Sequence, residues 1–113
     1  MLIKSIDINN FNEEKVQTQV VLESTFTKEI IISISQGQLM KEHKSPYPII
    51  IHLLEGVIEL GVESVKYQMK KNDIVTLEGN VPHDLFANEK ALIRLTLSKQ
   101  DIIERVKFVI EPL

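Results

Sequence analysis

The sequence predicts an all-β sandwich or barrel followed by a short C-terminal helix. Short runs rich in isoleucine, valine and leucine recur along the chain, apolar and polar residues alternate within them, and turn-forming residues punctuate them at even spacing. The chain has 113 residues and no internal repeat, low-complexity tract or Gly/Ser/Pro-rich linker, so it reads as one domain over 1–113.

Ile30-Ile31-Ile32-Ser33-Ile34-Ser35 places Ile30, Ile32 and Ile34 on one face and Ser33 and Ser35 on the other. That is the period of a half-buried strand, and Gly37 ends it. Further strands are expected over residues 38–43, 49–54, 57–62, 65–69, 74–77, 83–87 and 92–97. The turns between them fall at Ser45-Pro46, Glu63-Ser64, Lys71-Asn72-Asp73 and Asn88-Glu89-Lys90. Residues 13–24 fit two patterns: Val16, Thr18, Val20 and Leu22 alternate like a strand, while Val16, Val20 and Val21 would line a helix face. The strand is preferred. Ser98-Lys99-Gln100-Asp101 resembles a helix-capping signal, with Ile102, Ile103 and Val106 behind it at helical spacing.

Composition narrows the function. Net charge is −3 and the lysines are scattered, which leaves no footprint for a phosphate backbone, so no nucleic-acid partner is expected. Lys66, Lys70 and Lys71 fall at hairpin ends and read as solvated surface. Cysteine is absent, which excludes disulfides, thiolate metal sites and cysteine nucleophiles. Met1 to Asp7 has no long apolar core, and no uncharged apolar run is long enough to span a bilayer; no membrane contact and a cytoplasmic location are expected. No phosphate loop, nucleophile elbow, zinc-protease helix or paired-carboxylate motif occurs.

The middle of the chain resembles the cupin superfamily. The first cupin motif reads G-x5-H-x-H-x(3,4)-E-x6-G, and Gly37, His43 and Gly56 stand at its spacing, with Leu53-Leu54-Glu55-Gly56 like the usual end of that strand. The second reads G-x5-P-x-G-x2-H-x3-N and is similar to Asn72-Asp73-Ile74-Val75-Thr76-Leu77-Glu78-Gly79-Asn80-Val81-Pro82-His83, with Ala87 at the final asparagine position. Asn72 and Asn80 replace glycines; asparagine is among the non-glycine residues most tolerant of positive φ, so both turns are expected to survive. In the first motif the second histidine is replaced by Ser45 and the glutamate by Ile49. This wording resembles a subgroup of small stand-alone cupins with a degenerate metal-binding motif. The resemblance implies a double-stranded β-helix, the RmlC-like jelly-roll barrel, with a core over about 30–98.

In a cupin the motif histidines point into the barrel, and a strand's period of two then puts His43 and Ser45 on one inward face, with Ile49, Ile51 and Leu53 also inward. By the same parity His52 faces away and reads as packing or subunit contact. Arg94 and Thr96 share one face of the final strand and Ile93, Leu95 and Leu97 the other; an inward Arg94 would bind a carboxylate. Tyr47, between prolines near the barrel mouth, reads mainly as packing.

The expected pocket is therefore His43, Ser45, Ile49, Ile51, Leu53, His83, Leu85 and Arg94, mostly apolar and suited to a small organic ligand. His43 and His83 are the candidate metal ligands, for a weakly held zinc, nickel or iron, since a catalytic site normally has at least three protein ligands. The resemblance also leaves open a metal-dependent dioxygenase or isomerase, and an association module with a vestigial pocket. A homodimer paired through the outer sheet is expected.

Overall fold

The computed structural model describes residues 1–99, and over them the chain is all β, with no helix. In chain order the strands are β1 (Gln17–Glu23), β2 (Thr27–Ile34), β3 (Leu39–His43), β4 (Ile49–Glu55), β5 (Val57–Val62), β6 (Val65–Lys70), β7 (Ile74–Leu77), β8 (His83–Ala87) and β9 (Ala91–Ser98). They form two antiparallel sheets, one ordered β1-β2-β9-β4-β7 and the other β3-β8-β5-β6. Within the ambiguous stretch at 13–24, β1 takes Gln17–Glu23, the preferred strand reading, and residues 13–16 precede it outside any regular element. Ser98 closes β9 and donates its backbone N–H to Pro48 O at 3.4 Å. The expected helix from residue 100 onward lies outside the described residues.

Alternation along each strand builds the core. Ile32 and Ile34 of β2, Ile49, Ile51 and Leu53 of β4, and Ile93 of β9 face Ile58 and Leu60 of β5, Met69 of β6, and Leu85 and Ala87 of β8, all buried in one cluster. Ile49, Ile51 and Leu53 face inward as their parity implied, and with Leu85 they make up the packed interior between the sheets.

The turns follow their residues. Asn72 and Asn80 stand at φ 77° and 64°, the left-handed conformation that their replacement of glycine requires. Glu63 and Ser64 also have positive φ, 52° and 68°, and form the two-residue connection whose twist suits the β5–β6 hairpin. Gly56, at φ 92°, passes so close to the β8–β9 turn that a Cβ there would run into Lys90 O and Ala91 Cα. Gly56→Ala is expected to cost more than about 1 kcal/mol, read as a lower urea midpoint with unchanged slope.

On the outer face of the five-stranded sheet, Ile31, Ser33 and Leu92 are buried although they point away from the core. The chain before β1 runs along this face. Gln19 Nε2 donates to Asp7 O at 3.0 Å, Lys90 Nζ lies 4.3 Å from the centre of the Phe11 ring, and Asn12 O accepts from Ser35 Oγ and Gln38 Nε2.

At the far end of β9, Lys99 Nζ reaches Glu23 Oε2 at 2.9 Å and Ser24 O at 2.7 Å. The Lys99 ammonium holds the Glu23 carboxyl below its usual range. A depressed carboxylate contributes stability above its ordinary range and loses it as pH falls through the folded value. Thermal melts of wild type and Glu23→Gln are therefore expected to differ at neutral pH and to converge in acid.

Candidate functional site

A β-bulge sets up the site. In the β3–β8 pair Met40 stands opposite Leu85, but the next partner of His83 is His43, so three residues advance on β3 against two on β8. Regular pairing would have put Glu42 opposite His83. The extra residue re-aims the strand and brings the imidazoles together, with ring centres 4.4 Å apart and planes tilted by 59°.

Both rings are tethered in the same way. His43 Nδ1 lies 2.8 Å from Lys41 O and His83 Nδ1 2.9 Å from Val81 O, in each case the carbonyl two residues upstream. A carbonyl can only accept, so each Nδ1 carries a proton, and in the Nδ1–H tautomer Nε2 is left to accept. Among the described residues neither Nε2 has a hydrogen-bond partner. His83 is 4% exposed while His43 is exposed, so the pair sits where the interior meets solvent. Val62 stands opposite His83 on β5, and Met40, Val62, Val75, Val81, Leu95 and Leu97 are partly buried against the core.

The other expected pocket residues are placed differently. Ser45 lies past the end of β3, so strand parity does not govern it; its carbonyl accepts the Asn80 N–H at 2.6 Å and ties this loop to the turn before His83. Tyr47 is half-buried in the same loop. Ile49 is sealed in the core.

Arg94 is the clear correction. It is on the outer face of the sheet, where its Nε donates to Glu29 Oε1 at 2.9 Å and its guanidinium makes a 2.8 Å ion pair with the same oxygen, while Thr96 Oγ1 donates to it at 2.6 Å. The apolar set Ile93, Leu95 and Leu97 took the interior, and Glu29, 7% exposed, drew the arginine outward. Sequence reading missed Glu29. Its signal was an acidic residue in register beside Thr96, two positions from Arg94. His52 lies across from Arg94 on the same outer face, as its parity implied.

A resident catalytic metal does not fit this donor set. Such sites take three or more protein ligands, commonly with a carboxylate, whereas Ser45 offers a neutral hydroxyl and Ile49 cannot coordinate. Among the described residues no three histidines, cysteines or carboxylates converge.

Two grooves flank the N-terminal segment on the outer face. One, of about 530 Å³, is lined by Ile6, Ile8, Phe11, Leu54, Lys90 and Leu92; the other, of about 190 Å³, includes Lys4, Ile31, Glu29 and Arg94. No helix among the described residues is long and apolar enough to cross a membrane.

The same architecture recurs in solved structures. A protein of unknown function from Streptococcus pyogenes, SPY1581, superposes with a TM-score of 0.73 at 19% identity, over 88% of this chain and 90% of that one. An RmlC-like cupin from Desulfovibrio desulfuricans gives 0.77 at 18% identity, over 86% and 97%. A single-residue mutant of salicylate 1,2-dioxygenase from Pseudoaminobacter salicylatoxidans gives 0.73 at 13% identity, over 85% of this chain but 29% of that one. At such identities the likeness is one of fold. No curated protein matches the sequence. The Cupin_2 family, described as "Cupin domain", matches residues 30–97, and the chain belongs to the cupin superfamily.

Proposed function

We propose that this cupin is a small-molecule binding or sensing barrel that holds the polar end of an organic ligand at its mouth through His43 and His83. The observation that supports the reading is the pair of tethered imidazoles, with ring centres 4.4 Å apart, where the buried His83 meets the exposed His43. With Nδ1 engaged, Nε2 is the atom left to accept, so the ligand's head would carry donors such as hydroxyls and its body would lie against Val62 and Val81, the neighbours of His83. Zinc, nickel or iron at this pair would be weakly held and exchangeable. The dioxygenase or isomerase alternative shares the fold but lacks a third ligand, and fold alone does not carry chemistry.

The test is a thermal-shift screen of hydroxyl-bearing small molecules on tag-free protein, His43→Ala and His83→Asn. A ligand at 100 times its Kd adds about 2.7 kcal/mol of stability, and both variants are expected to lose that gain. Finding no compound whose effect depends on these histidines would count against the reading.

A second reading, homodimerisation through the outer face, is favoured by what that face exposes. Ile50 and Ile74 are exposed on that face, and Leu2, Ile3 and Ile8 are exposed on the N-terminal segment. Sedimentation is expected to show a dimer that Ile74→Asp weakens. A monomer at micromolar concentration would remove this reading.

A further inference from the structure

The larger outer-face groove forms where β4 departs from regular pairing. Leu53 pairs with Ile93 but Glu55 with Leu92, so β4 advances two residues against one on β9, and Leu54 lies in this bulge. Leu54 and Leu92 line the groove from the sheet, and Ile6, Ile8 and Phe11 line it from the N-terminal segment. Its volume of about 530 Å³ is that of a small-molecule site. Leu92 is 6% exposed and Ile8 60%, so the lining is apolar from its buried base to its open rim.

One ammonium stands at this groove. Lys90, in the β8–β9 turn, belongs to the lining, and its Nζ lies 4.3 Å from the centre of the Phe11 ring. The turn itself is anchored: Asn88 and Glu89 both donate their N–H to Val57 O, and the backbone of Gly56 passes against Lys90 O with no Cβ between them. A lysine placed at both its backbone and its ammonium loses less freedom on meeting a ligand than one on a free stem. Among the described residues Lys90 makes no ion pair, whereas the carboxylate at the groove, Glu55, is already matched by Lys71 at 3.0 Å. The charge left for a ligand is therefore positive.

We propose that this groove is a second binding site, separate from His43 and His83, for a small aliphatic carboxylate whose head pairs with Lys90 and whose chain lies on Ile6, Ile8, Leu54 and Leu92. The apolar lining alone would accept any hydrocarbon, and the uncompensated ammonium selects an anionic head. Ile50 and Ile74, the exposed residues that favour a second copy, are not part of the lining. A carboxylate and a dimer partner thus draw on different parts of the outer face.

The test titrates octanoate into the full-length protein with labelled isoleucine and leucine methyls, and octanol, which has the same chain without the charge, beside it. Octanoate is expected to give saturable shifts at Ile6, Ile8, Leu54 and Leu92. Lys90→Gln is expected to weaken octanoate roughly fivefold, the scale of one exposed charge pair, and to change octanol far less. Ile8→Asp, at an exposed position, is expected to abolish binding of both, and His43→Ala to leave both as in the wild type. No saturable shift at these four residues, or an equal loss for octanoate and octanol in Lys90→Gln, would overturn the proposal. So would shifts there that follow protein concentration alone, the mark of a second copy filling the groove.

Discussion

Leu53→Ala is expected to destabilise the fold by about 2–5 kcal/mol, a fall in Tm of at least about 8 °C. Leu53 is fully buried in the core, and its backbone also holds the β6–β7 turn: its N–H donates to Asp73 O and its carbonyl accepts from Asn72 N–H. The backbone bonds survive the substitution, so the loss reports the vacated side-chain volume. Ile50, one strand position from Ile51, faces outward and is 40% exposed. Ile50→Ala is therefore expected to stay within about 0.5 kcal/mol. Chemical denaturation of both variants compares the two faces of β4, and similar losses would contradict the assigned parity.

Arg94→Ala is expected to cost about 1–3 kcal/mol, through the group it leaves behind. Glu29 would keep Thr96 Oγ1 but lose the guanidinium that balances its charge, in a site that excludes most water. Arg94 is itself half exposed, which limits the loss to less than that of a fully buried pair. Replacing Glu29 and Arg94 together by methionine is expected to restore most of the stability. A double-mutant cycle measures this, and strictly additive single losses would show that the pair is not coupled. Ligand binding at the histidines is expected to survive Arg94→Ala, since the guanidinium lies on the other face of the sheet.

Much of the fold was legible because its signals are local. The Ile30 to Ser35 alternation fixes which face of β2 is inward, and the turn asparagines at 72 and 80 show where the backbone must turn left-handed. Strands over 57–62, 74–77 and 83–87 coincide with β5, β7 and β8 because turn residues bound them closely. The site was half legible. The pairing of His43 with His83 follows from motif spacing, but the parity argument that placed His43 assumed a regular strand, and the bulge after Met40 is what delivers it. A bulge depends on how two strands register, which one strand's pattern does not contain. Arg94 was misplaced for a related reason: alternation separates it from Leu95 without saying which set is inward, and the deciding partner, Glu29, is a cross-sheet neighbour far away in sequence. Burial of Ile31 and Leu92 by the N-terminal segment was likewise invisible, because an outward position becomes buried only when another part of the chain covers it.

The central claim is that two tethered imidazoles, without a third protein ligand, make the mouth a recognition site and not a catalytic metal centre. Elemental analysis of tag-free protein after exhaustive dialysis, with His43→Ala and His83→Ala beside it, tests this most directly. The account predicts far less than one zinc, nickel or iron per chain in all three samples. About one metal per chain in the wild type, lost in both variants, would contradict it and return the site to metal-dependent chemistry.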